Sequence, residues 1–121
     1  MLLTPHGRMH YVDVGQGPAL LCLHGNGRWS LECRELVRSR SSSGRVIAPD
    51  LIGFGLSEKP TRLPDDVIAA HADDLARLLD ALDLRDVQIV ASQSSAEIAH
   101  QLMRVAPERV LSTVLEEAGA P

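Results

Sequence analysis

Residues able to do chemistry gather at four points, just after Leu23, Ala48, Ala91 and Leu115. The first is His24-Gly25-Asn26-Gly27, whose glycines allow a sharp turn that exposes backbone amides before a helix. Such amides can hold an anion or stabilise an oxyanion. A plain strand-to-helix turn would use the same glycines. The second is Pro49-Asp50-Leu51-Ile52-Gly53-Phe54-Gly55-Leu56-Ser57, where Asp50 and Ser57 can bond loop amides. The third is the serine-rich Ser92-Gln93-Ser94-Ser95, and the fourth is the acidic pair Glu116-Glu117. The five histidines supply no obvious general base. His6 and His10 fall on an opening hairpin, His24 in the turn, His71 on a helix face that meets the core, and His100 well down a later helix. No His, Cys or Asp cluster has metal-ligand spacing, so neither a metal nor any other cofactor is expected. The pair Asp73-Asp74 beside His71 reads as a solvated helix edge.

These segments need elements to position them, and the hydrophobic pattern supplies an order. Met9 to Val14 alternates, Gly15 to Pro18 turns, and Ala19 to Leu23 is a continuous apolar run, which predicts a hairpin feeding a buried strand. Trp29 to Val37 has helical spacing, Arg45 to Ala48 reads as a strand, and Pro49 to Pro64 as an irregular loop. From Asp65 the chain is amphipathic, with Val67, His71, Leu75, Leu78, Leu79 and Leu82 on one face. Val87 to Ala91 and Val110 to Leu115 read as strands flanking a helix from Ser95 to Val105. Alternating strands and helices predict the α/β class, a mostly parallel sheet with helices on its faces and an antiparallel hairpin at its start. In such sheets ligands collect at the carboxyl ends of the strands, where the four segments lie.

Composition narrows the partners. The chain has 121 residues, 45% hydrophobic and 23% charged, enough for one folded domain over 1–121. Its formal charge of −4, without long runs of one sign, argues against nucleic acid. Aromatic residues make up 2%, essentially Tyr11, Trp29 and Phe54, so stacking platforms and aromatic-lined pockets have little to be built from. Cys22 and Cys33 do not make a disulfide scaffold, and no stretch has the length of a membrane helix. A soluble, reduced, cytoplasmic protein that engages no membrane is expected.

Several segments together resemble the N-terminal part of an α/β-hydrolase, most closely the haloalkane dehalogenase and epoxide hydrolase branch. They are Tyr11-Val12-Asp13-Val14-Gly15, His24-Gly25-Asn26 with Trp29, Ile47 through Pro60, Leu82 through Val87, and Pro107-Glu108-Arg109-Val110. The resemblance implies hydrolysis of a carbon–halogen, epoxide or ester bond in a small hydrophobic substrate through a covalent intermediate. It implies a nucleophile on a strained elbow after Val90, and the register places Gln93 there, with Ala91 and Ser95 as small flanking residues. A carboxamide is a poor nucleophile. Ser94 is the alternative, flanked by Ser92 and Ala96, but using it requires a one-residue shift.

The family pattern also makes His24, Gly25, Asn26 and Ser94 the oxyanion- or halide-binding region. Asn26 matches one halide-holding residue, with helix capping as its simpler role, while Ser94 replaces the usual tryptophan. Glu117 falls where a subgroup places the acid that orients the catalytic histidine; otherwise it is a solvated charge. That histidine follows the eighth strand in the family, whereas this chain carries strands one to six and no cap. The expectation is therefore a partial hydrolase core, inactive as an isolated chain. Its unfinished sheet is expected to pair with a second copy or a complementing chain. A non-catalytic interaction module is one alternative. A dinucleotide- or phosphate-binding half-domain is another, since Gly25-Asn26-Gly27 and Asp50 follow that order. Ser30 in the third glycine position and the bulk of Trp29 weaken it.

Overall fold

Strands that are apolar on both faces can only lie between two layers, and three segments of this chain have that character. In the computed structural model, which describes residues 1–116, they are β4 (Ala19–Leu23), β5 (Arg45–Pro49) and β6 (Val87–Ala91). Leu21, Leu23, Ile47, Ile89 and Ala91 point to one core, while Leu20, Cys22, Val46, Ala48 and Val90 point to another on the opposite face. The period of two that sends alternate residues to opposite sides explains why these runs are continuously hydrophobic.

The first core is covered by α2 (Val67–Ala81) and α3 (Ala96–Val105), and the second by α1 (Arg34–Arg40), which continues from a short 3-10 helix at Ser30–Cys33. Helix α2 buries Leu75, Leu78 and Leu79 completely, each contributing about 2–3 kcal/mol. It starts where Asp66 accepts a hydrogen bond from the Ala69 amide at 3.0 Å, a cap contributing about 1 kcal/mol. The segment from Trp29 to Val37 is thus split between 3-10 and α geometry rather than being one helix.

The main sheet has the order β3-β5-β4-β6-β7, with β3 at Tyr11–Gly15 and β7 at Val110–Leu115. All neighbours are parallel except β3 and β5. Here the structure corrects a sequence expectation. The segment ending at Val14 does not form a hairpin with Ala19–Leu23; it pairs antiparallel with β5, which lies between β3 and β4. The glycines of the connection bring the chain against the end of α1 instead. Gly15 has φ +94°, and a Cβ there would lie 2.1 Å from the Gly44 carbonyl. Arg45 then fixes the pairing by donating to both Asp13 carboxylate oxygens at 2.8 and 2.7 Å. The opening hairpin is a separate pair, β1 (Leu2–Thr4) and β2 (Gly7–Met9).

Two further expectations are corrected. Cys22 and Cys33 form a disulfide, because the 3-10 helix folds back over β4 and brings their Cα atoms to 6.3 Å, so the chain is not fully reduced. Asp74 is not at a solvated edge: it is fully buried, and one carboxylate oxygen faces His6 Nδ1 at 2.8 Å and accepts from the His6 amide at 3.2 Å. Its neighbour Asp73 is exposed. None of the helices is long and apolar enough to cross a membrane among the described residues.

Candidate functional site

The turns after β4 and β6 and the loop after β5 meet at the carboxyl end of the parallel strands. They enclose a cleft of about 460 Å³. Apolar walls come from Leu51 and Phe54 of the loop, Val67 and Ile68 at the start of α2, and Ile98 of α3. Its polar lining comes from Asn26, Gln93, Ser94, Ser95 and Glu97, with His24 and His71. The structure therefore brings together His24, Gly25, Asn26, Gln93 and Ser94, whereas Asp50 and Ser57 do not line the cleft and Glu117 lies outside the described residues. Phe54 is the one Phe, Tyr or Trp side chain in the lining, in keeping with the scarcity of aromatics.

Within the turn after β4, two of the amides that could hold an anion are bonded to side chains of the protein. The Gly25 amide donates to a Glu32 carboxylate oxygen at 2.8 Å, and the Asn26 amide donates to Ser94 Oγ at 2.9 Å. Ser94 Oγ also lies 3.1 Å from Ser92 Oγ, which in turn lies 3.1 Å from Ser95 Oγ. The Ser92 amide donates to Ser95 Oγ, so the three hydroxyls form a local chain around the turn. Asn26 does not cap the following 3-10 helix; Trp29 stands at its N-cap without a side-chain bond. Nor is the turn after β6 a strained elbow. Gln93–Ser95 is a 3-10 turn, Ser92 has φ −78°, and no residue from Ser92 to Ser95 has positive φ.

Apart from His100, the histidines are held within the protein. His24 is buried, with Nδ1 2.9 Å from the Gly25 carbonyl and Nε2 accepting from the Leu51 amide at 3.1 Å. These partners fix the tautomer with hydrogen on Nδ1, and burial pushes the pKa below its usual value, so the ring is a neutral strut. His71 is also buried and lowered in pKa by loss of solvent, although Asp74 opposes that shift. It packs near Phe54, with ring centroids 6.3 Å apart. His10 faces Asp50, His6 faces Asp74, and His100 is exposed on α3. No histidine ring bonds a serine hydroxyl among the described residues, so Ser94 has no activating imidazole there.

Behind the cleft, Asp50 organises the loop. Burial opposes its charge, but the Leu56 and Ser30 amides and His10 outweigh that effect and hold its pKa below the usual carboxylate range. The bonds are 3.0 Å from Leu56, 2.6 Å from Ser30 and 3.0 Å to His10 Nδ1. Asp50 bonds the loop amide of Leu56 as expected, whereas Ser57 Oγ donates to the Asp50 carbonyl and accepts from the His10 amide, which lies outside the loop. The same contacts count against a dinucleotide site. The Gly25 and Asn26 amides are bonded to Glu32 and Ser94, and the acid that would meet a ribose is enclosed.

Sequence reasoning missed Glu32 and the His6–Asp74 pair. Glu32 carries no motif: its role follows from the 3-10 helix returning toward Gly25 seven residues later. Asp74 and His6 lie 68 residues apart, and Asp74 Oδ2 has no hydrogen-bond partner among the described residues.

Comparison with known proteins agrees with this geometry. The profile of the alpha/beta hydrolase fold family matches residues 18–120. A haloalkane dehalogenase from Mycobacterium marinum is 39% identical over 108 residues, covering 87% of this chain and 35% of that protein. One from Mesorhizobium japonicum is 42% identical over 110 residues, covering 90% and 35%. A mutant epoxide hydrolase from Vigna radiata superposes with a TM-score of 0.86 at 32% identity, covering 94% of this chain and 36% of that one. The chain thus spans little more than a third of the length of these proteins. With the sheet order, the clustered turns and the matched residues in agreement, the chain belongs to the α/β-hydrolase fold family.

Proposed function

We propose that these residues carry the turn-bearing half of a haloalkane-dehalogenase-like or epoxide-hydrolase-like site, which binds a small hydrophobic compound but forms no covalent intermediate by itself. The observation that supports this reading is Gln93 at the nucleophile position on an unstrained turn. A carboxamide cannot serve as the ester-forming carboxylate, and Ser94, the alternative, accepts from the Asn26 amide and has no histidine base among the described residues. The cleft still offers apolar walls and polar lining residues, the features that orient small apolar ligands.

The test incubates the protein with 1-chlorobutane, an aliphatic epoxide and a chromogenic ester, following product formation and intact mass. No turnover and no adduct are expected, while backbone amide resonances of Asn26, Ser94 and Ile98 shift on adding 1-chlorobutane. Turnover by the wild type that disappears in Ser94→Ala would overturn the proposal.

One observation favours a second reading, association through the sheet edge. Strand β7 is the outermost strand of the described sheet and exposes Leu111, at 67%, together with Val114 and Leu115. On this reading the chain pairs with a second copy or a complementing chain, and light scattering that shows only monomer at low micromolar concentration would remove it. A cytoplasmic location belongs to the same proposal. It requires the buried Cys22–Cys33 bond to persist against cellular thiols, which counting free thiols in protein trapped at lysis would test.

A further inference from the structure

On the opposite face of the sheet from the cleft lies a groove of about 380 Å³, within the size range of small-ligand sites. Val12 of β3, Trp29, Leu31 and Val37 of α1 form its apolar walls. Trp29 and Leu31 are 38% and 48% exposed, large hydrophobic side chains that the chain leaves in solvent next to one another. Arg34 and Arg38 also line the groove; four residues apart on α1, they present two guanidinium groups on one side of the helix.

The charge of this groove is one-sided. No acidic residue is part of its lining. Arg34 has no hydrogen bond or ion pair among the described residues, and the one ionic partner of Arg38 is Glu35 at 3.3 Å, a solvent-exposed pair of little strength. The nearest buried acid, Asp50, is turned inward and bonded by the Ser30 and Leu56 amides and by His10. A ligand that satisfies both halves of the groove needs an alkyl body for the Val12, Trp29, Leu31 and Val37 walls and a single negative head for the arginines.

We propose that this groove binds a medium-chain alkyl carboxylate, with its chain against Trp29 and Leu31 and its carboxylate between Arg34 and Arg38. The site is separate from the hydrolase-type cleft and does not depend on what that cleft does. Guanidinium groups make planar, charge-assisted contacts that suit a carboxylate.

Trp29 is the one tryptophan in the sequence, so its fluorescence reports directly on the groove. Decanoate titrated into the full chain below its micellar concentration is expected to shift and saturate Trp29 emission, and to move the indole N–H resonance. Lengthening the chain from hexanoate to decanoate tightens binding about three- to four-fold per methylene until the groove is filled. Decanol binds more weakly, and decyltrimethylammonium gives no saturable response. Arg34→Gln and Arg38→Gln, both on the exposed face of α1, each weaken decanoate up to about five-fold while leaving decanol unchanged. Leu31→Asp reduces binding of both by at least about ten-fold. Leu63→Asp, in the other cleft, leaves the Trp29 response intact. Circular dichroism verifies the fold of each variant. The proposal is overturned by an unsaturable or absent Trp29 response, by equal response to decyltrimethylammonium, by arginine variants that bind decanoate as the wild type does, or by loss of the response in Leu63→Asp.

Discussion

The loops that follow β5 and β6 flank the same central strand, β4, yet they are held in opposite ways. After β5, one buried carboxylate gathers donors from distant parts of the chain: Asp50 is bonded by Ser30 from the 3-10 helix, Leu56 from its own loop and His10 from the β2–β3 junction. After β6, three serine hydroxyls bond mainly one another and accept a single outside amide from Asn26. The first loop is a long-range junction and the second a local turn. The supporting loop is therefore cross-linked to distant segments, while the turn that carries Gln93 is held mainly by its own side chains.

The largest expected effect comes from breaking the junction. Asp50→Ala leaves the Ser30 and Leu56 amides without their acceptor and uncouples three segments, which costs about 3–5 kcal/mol. Thermal unfolding of such a variant is expected to shift down by about 12–20 °C. A shift of only a few degrees would mean that the loop is held by its apolar residues, and the contrast with the serine turn would disappear. Next in size is Gly55→Ala. Gly55 has φ +54°, and a Cβ there would sit 2.6 Å from the Asp50 carboxyl group and 2.8 Å from Trp29 Cβ. Strain and displacement of Asp50 together cost about 2–3 kcal/mol.

Acidity provides a graded version of the same test. His24 and His71 both have folded-state pKa values lowered by burial, so the unfolded chain binds more protons as pH falls below about 6.5. Their stabilising contribution is full above that pH and declines as pH falls through the lowered folded values. Protonating His24 Nε2 would also set two donors against each other at the Leu51 amide, loosening the Asp50 loop from the β4 turn. The melting midpoint is expected to fall between pH 7 and 5 and to fall less in His71→Gln. Asp50, held low, contributes above the ordinary carboxylate range and is lost only at more acidic pH. A midpoint that rises on acidification over that interval would contradict the neutral-strut role of His24.

What could be read from sequence follows the same division between local and distant. Helix α2 was legible because Val67, His71, Leu75, Leu78 and Leu82 repeat at helical spacing, and β4 and β6 because a run apolar on both faces has few other uses. The site turns were legible because each lies within a few residues of a strand end. The partner of β3, the Cys22–Cys33 bond, the burial of Asp74 against His6 and the Glu32–Gly25 contact were not. Each depends on where a separate segment returns in space, and neither periodicity nor residue type encodes that return. The relaxed backbone at Gln93 is a different case: family register placed the residue, but register carries no dihedral angle.

The smallest effect is expected from Ser94→Ala, and it tests the other half of the contrast. Ser94 Oγ accepts from the Asn26 amide at 2.9 Å and exchanges with Ser92 Oγ at 3.1 Å. Both Ser94 and Asn26 are exposed, so water replaces the lost acceptor, and Ser92 retains Ser95 as a partner. The cost is about 0.5–1 kcal/mol, a shift of about 2–4 °C. A local turn loses one neutral bond and relaxes; a junction would lose its connections. If Ser94→Ala instead costs more than about 2 kcal/mol, the hydroxyl chain supports the sheet end as Asp50 does, and the turn after β6 is a junction as well.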